Sequence, residues 1–214
     1  MTTAPPTGFP LPLRNALAEL AIAALDDAEA RAALAWLAAD GDGPAPPAVR
    51  RALAAHHLVE PDGALLDVHR PHVERMRAHA ARGLRAAAAF RPPAPDAGTV
   101  AAAVGRAIAL WNERLFFEVH EVLEAEWKRT SGAERQALQG AIQVAVALHH
   151  HAHGNPRGAR TLMREGRERL AATGAALPTL DVAALLAATL PWEEAFATGT
   201  AARDAAPPPL VPRE

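Results

Sequence analysis

The stretch FFEVHEVLEAEW, Phe116–Trp127, sets Glu118, His120, Glu121 and Glu124 among apolar residues. Carboxylates and an imidazole are groups that can hold a divalent transition metal, move a proton or bond across a helix interface. At about 100° per residue, Phe116, Val119, Leu123 and Trp127 form one apolar stripe. His120 and Glu124 flank it on a shared face, Glu121 lies one step further round and Glu118 further still. A second polar line follows, in which Gln139, Gln143 and His150 recur with Val146 at helical spacing beside an apolar line through Leu138, Ile142, Ala145 and His149. The short connection between the two helices makes them neighbours. The pattern therefore predicts one partly buried polar pocket built from Glu121, Glu124, Gln143 and His150, with Glu118 and His120 at its edge and Gln139 one turn away.

His120, Glu121, Glu124 and His150 are the candidate metal ligands, an oxygen and imidazole set that suits zinc, manganese or iron on facing helices. The motif His120-Glu121-x-x-Glu124 lacks the second histidine of a zinc-protease helix, which removes that reading. Histidines 149, 150, 151 and 153 point in different directions round a helix, so at most one or two could meet one ion. His149, on the apolar line, reads as a core histidine. The favoured reading of the cluster is an interhelical hydrogen-bond network that fixes packing, with a metal or catalytic site as the alternative. No glycine-rich phosphate loop is present, and the absence of cysteine excludes thiol chemistry and disulfides.

Three blocks, WNERLFFEVHEVLEAEW at 111–127, LQGAIQVAVALHH at 138–150 and GNPRGARTL at 154–162, occur in this order. Together they resemble domain-of-unknown-function family 309, over about residues 100–170. The resemblance implies a small all-helical unit and assigns it no reaction. By that match the family-type positions are Asn112, Glu118, His120, Glu121, Glu124, Trp127, Gln139, Gly140, Gln143, His150, Asn155 and Gly158. The whole first half of the chain departs from the usual short member of that family.

The elements that must position these residues are all helical. Thr99 is expected to cap a helix over 100–113, a second runs over 115–129, and the longest runs over 133–153 after a break at Gly132. Asn155-Pro156 supplies the cap and first-turn proline of a helix through Leu162, Met163 and Leu170. Asp181 caps a last helix, which Pro191 bends or restarts before Phe196. Short connections between such helices predict an antiparallel bundle over 99–198. The prolines at 91–98 mark a linker, and 199–214, with only Leu210 and Val211 as large apolar residues, read as a disordered tail.

The first half, 1–90, reads as a smaller helical unit. Leu13, Leu17, Leu20 and Ala24 share one helical face, Asp27 caps a helix carrying Leu34 and Leu37, and the stretch from Gly41 to Pro47 ends that pair. A third helix over 47–57 precedes Asp62-Gly63 between apolar runs, a β-hairpin signal. Pro71 then suits the first turn of a helix through Val73, Met76, Ala80 and Leu84. Three helices, a hairpin and a helix resemble a winged-helix unit. The third helix would then touch nucleic acid through Arg50, Arg51, His56 and His57, a weak case beside simple packing.

The chain has 214 residues, half of them apolar, a net charge of -2 and a pI near 6.6, so it can bury a real core and has no general pull toward nucleic acid or acidic lipid. No apolar run long enough to cross a membrane and no leader sequence is evident, so the expected location is cytoplasmic. Three functions fit: a non-enzymatic structural or interaction module, alone or as a homodimer; a metal-assisted hydrolase; or a DNA-touching regulator with a ligand-sensing bundle.

Overall fold

A computed structural model describes residues 8–39, 43–94, 96–202 and 205–213, which form nine α-helices and two short 3-10 turns. Among the described residues there is no strand, and no helix is long and apolar enough to cross a membrane. The protein is all-α and divides into two compact units, Met1–Ala89 and Phe90–Glu214.

In the first unit, α1 (Leu11–Ala23), α2 (Ala28–Ala39), α3 (Pro47–Ala55) and α4 (Val73–Ala89) enclose a core of Leu13, Leu17, Leu20, Leu34, Leu37, Leu53, Leu58 and Met76. Asp27 caps α2, its carboxylate accepting from the Glu29 N–H at 2.6 Å. The expected break at Gly41 lies outside the described residues. The expected hairpin shrinks to a turn. Gly63 takes a positive φ, the Glu60 N–H donates to the Ala64 carbonyl, and one antiparallel bridge joins Val59 to Leu65. No ladder grows from it because Leu66 leads straight into the 3-10 turn Asp67–His72, which also takes up Pro71 ahead of α4. Without a sheet there is no wing, and the winged-helix expectation is wrong. The basic groups of α3 are also engaged inside the unit. Arg50 donates to the carbonyls of Ala45 and Pro61, Arg51 pairs with Glu29, and His56 lies 3.3 Å from Glu19.

The second unit contains α5 (Thr99–Asn112), α6 (Phe116–Trp127), α7 (Gly132–Ala152), α8 (Pro156–Thr173) and α9 (Val182–Thr198), with a 3-10 turn, Gly174–Ala176, before α9. Among these, α6 packs on α5 and on α7, and α8 on α7 and on α9. α7 is buried on most of its circumference because α6 and α8 both cover it. Asn155 and Asp181 cap α8 and α9 through their side chains. Thr99 does not cap α5 as expected. Gly98 holds that position at φ +84°, and the Thr99 hydroxyl donates instead to Glu126. Pro191 does not restart α9, which runs as one helix through it to Thr198. Within the expected disordered tail, 199–214, the stretch around Leu210 is packed on the unit. Leu210 is buried, and the Asn112 side chain holds its backbone.

The α7 and α8 axes meet at two glycines. A Cβ on Gly166 would stand 2.8 Å from the Gly140 carbonyl oxygen, and one on Gly140 would stand 3.0 Å from the Gly166 carbonyl oxygen. Only bare backbone permits that approach.

Candidate functional site

On α6, Phe116, Val119 and Leu123 are buried as the apolar stripe requires, joined by Val122, Glu118 and Glu126. Trp127 is half-buried and forms the ceiling of the α6–α7 turn. The Arg135 guanidinium lies 3.6 Å from its ring centroid and donates to the carbonyls of Trp127 and Thr130. The four expected polar residues of α6 have different surroundings. Glu118 is fully buried. His120 Nδ1 lies 3.2 Å from the neighbouring Glu121 carboxylate. Glu124 pairs with Lys128 Nζ at 2.8 Å, one turn on, and that bond, with the charges of Lys128 and His120, holds its carboxyl below the usual range against the opposing effect of burial.

Gln143 faces the other way, toward α8. Its Nε2 donates to Glu165 Oε2 and its Oε1 accepts from Arg169 Nε, both at 3.2 Å. Gln139, one turn earlier on α7, is half-buried. The glycine crossing explains the orientation: Gly140 and Gln143 lie on the α7 face pressed against α8, so the stripe expected to meet α6 is turned from it. One contact between α6 and the C-terminal end of α7 is aromatic. The Phe117 ring centroid is 6.1 Å from that of His120 and 5.9 Å from that of His149. His149 is half-buried rather than a core histidine, and stacks on His153 at 4.1 Å.

His150, in the last turn of α7, is tied to the N-cap of α8. Asn155 Nδ2 donates to His150 Nδ1 at 3.3 Å, while Asn155 Oδ1 accepts from the Gly158 N–H at 3.0 Å. Because the amide nitrogen can only donate, His150 Nδ1 must be unprotonated and the ring neutral. Burial, aided by nearby His153, pushes the His150 imidazole below its ordinary value. A Cβ on Gly158 would stand 2.8 Å from the Asn155 amide and 2.9 Å from His150 Cδ2. Three of the family-type positions thus form a single capping device.

This device has a pH signature. Below about pH 6.5 the unfolded chain takes up a proton at His150 before the folded chain does, so stability falls with pH in the window just under that value. Thermal melts of wild type and His150→Gln from pH 7.5 to 5 are expected to show a steeper decline for wild type. Parallel slopes would remove His150 from the account. His72 in the first unit is lowered in the same direction, by burial and then by Arg75 and His69, and cancels in that comparison.

No hydrogen bond or ion pair among the described residues joins Glu121 or Glu124 to Gln143 or His150. No described group of three or more His, Asp or Glu side chains is placed to hold a metal ion. The arrangement therefore divides the expected pocket into two pairs on α6, an α7–α8 bridge and a turn cap. Sequence reasoning missed Glu165 and Arg169, whose four-residue spacing on α8 is a visible signal for a shared face. It also missed Glu126, which accepts from the Thr99 hydroxyl at 2.6 Å and from Arg129 at 3.0 Å and carries no local signal of burial.

Residues 104–162 match the family model described as Domain of unknown function (DUF309). A Bacillus subtilis (strain 168) protein named Uncharacterized protein YpuF is 47% identical over 51 residues, which cover 23% of this chain and 29% of that protein. The chain thus spans less than a third of the length of this curated relative. No solved structure matches the chain.

Proposed function

We propose that this chain, which carries the DUF309 match at residues 104–162, is a non-enzymatic interaction module whose polar residues fix helix packing. One observation carries the reading: Gln143, the most buried amide of the candidate set, spends both ends of its side chain on α8, on Glu165 and on Arg169. A group so engaged orients a helix. It is not free to bind a substrate or an ion. The pairing of Glu124 with Lys128 and the Asn155 clasp on His150 support the same conclusion.

Metal analysis of untagged protein, together with melting curves in the presence and absence of a chelator, tests it. The expected result is metal well below one equivalent and an unchanged melting temperature. Stoichiometric metal, with a chelator-induced fall of many degrees that one divalent ion reverses, would overturn the reading in favour of a metal-assisted hydrolase using Glu121, Glu124, His120 or His150.

A further inference from the structure

Residues 207–212 behave as a bound peptide. The segment is extended, and the unit reads its main chain from two sides. Trp111 Nε1 donates to the Pro208 carbonyl at 2.7 Å. Asn112 grips Leu210 twice, its Nδ2 donating to the carbonyl at 3.1 Å and its Oδ1 accepting from the N–H at 2.8 Å. Opposite, the Asp181 N–H donates to the Val211 carbonyl, the Arg213 N–H donates to the Thr179 carbonyl, and Leu180 forms one antiparallel bridge with Pro212. One side chain is specified: Leu210, only 6% exposed, closes an apolar seam lined by Val104, Trp111, Val119, Leu123, Leu177 and Leu185.

Main-chain bonds plus one apolar anchor are the recognition mode of extended-peptide sites. Prolines 207, 208, 209 and 212 keep the segment extended before it docks, which lowers the entropy of ordering it. Trp111, Asn112, Val119 and Leu123 fall inside the matched stretch 104–162, whereas the occupant falls outside it.

We infer that the seam is a peptide-binding site for a leucine flanked by prolines in an extended segment of another protein, and that residues 207–212 fill it as an intramolecular competitor. This rests on the interaction-module reading and gives that module a class of partner. A tethered competitor works at an effective concentration of millimolar order. A peptide in trans therefore binds well only when the tethered segment is weakened.

The probe is a fluorescein-labelled peptide of residues 206–213, APPPLVPR, titrated by anisotropy against full-length wild type and full-length Leu210→Asp, which unseats the tethered segment by placing a carboxylate in the apolar seam. The variant is expected to bind at least about tenfold more tightly than wild type, and adding Asn112→Ala to it should remove most of that gain. Equal affinities, or no binding by a Leu210→Asp chain that keeps its helical circular dichroism, would overturn the inference. If that variant does not fold, hydrogen exchange on wild type decides. Excess unlabelled peptide should speed exchange at the Leu210 and Arg213 amides, and unchanged rates would overturn the inference. A wild-type dimer that exchanges these segments would place the occupant on a second copy and also overturn it. Bound metal would instead sink the non-enzymatic reading and leave the binding result intact.

Discussion

Replacing Gly166 by alanine is expected to lower the melting temperature, whereas the same replacement at Gly105 is expected to raise it. Both glycines lie inside helices, where alanine is intrinsically better by about 0.5–1 kcal/mol. At Gly105 the new methyl would meet Phe90 Cε2 at 3.7 Å, an ordinary contact, so the intrinsic gain survives. At Gly166 it would meet the Gly140 carbonyl oxygen and Val144 Cγ2 at 2.8 Å and Gln143 Cβ at 2.9 Å. A backbone carbonyl in a helix cannot rotate away, so α7 and α8 must separate. Overpacking of this kind costs about 1–3 kcal/mol, which exceeds the propensity gain. Gly166→Val should cost more again. Urea midpoints for the three variants check this, and a Gly166→Ala protein as stable as Gly105→Ala would refute the close crossing.

The second large effect is expected at Glu126. The residue is 6% exposed, and its carboxylate ties the start of α5, through the Thr99 hydroxyl, to the end of α6. Glu126→Ala is expected to cost about 1.5–3 kcal/mol, the range for hydrogen bonds to charged groups, because Thr99 loses its acceptor in a partly buried place. Glu126→Gln should cost less, since an amide oxygen still accepts from Thr99. By contrast, Glu124→Ala breaks a half-open helical pair with Lys128 and should cost only about 0.3–0.5 kcal/mol, less in salt. Denaturant titrations rank the three. A Glu124→Ala loss that matches Glu126→Ala would mean that Glu124 has a buried role its geometry does not explain.

The sequence and the structure agree best where a residue acts within its own turn of chain. Asn155, Asp181 and Asp27 cap helices as their types predict, and Asp62-Gly63 makes its turn. What failed depended on how one element rotates against another. The polar residues of α6 and α7 were assigned correctly to helices, yet the shared pocket assumed that Gln143 would turn toward α6. Periodicity gives faces relative to one another within a helix; the zero of rotation between helices is set here by Gly140 and Gly166, which a count of apolar residues overlooks. Composition likewise counts side chains and not main-chain bonds. That is why two large apolar residues in 199–214 look too few to order it, whereas one leucine and the paired bonds of Asn112 hold the stretch around Leu210.

The bonds from Trp111 and Asn112 to Pro208 and Leu210 close spans of 97 and 98 residues, whereas α6 and α7, and α7 and α8, meet across connections of a few residues. The entropy of closing a loop grows with its length and is recovered only when the far end docks. The clasp over the apolar seam is therefore late in folding time: the neighbouring helices zip first. During synthesis from the N-terminus, a nascent bundle would show an uncovered apolar strip until residues 207–212 emerge. For that interval the strip is open to other chains, so the pace at which residues 207–212 are made bears on how much of the protein reaches the folded state.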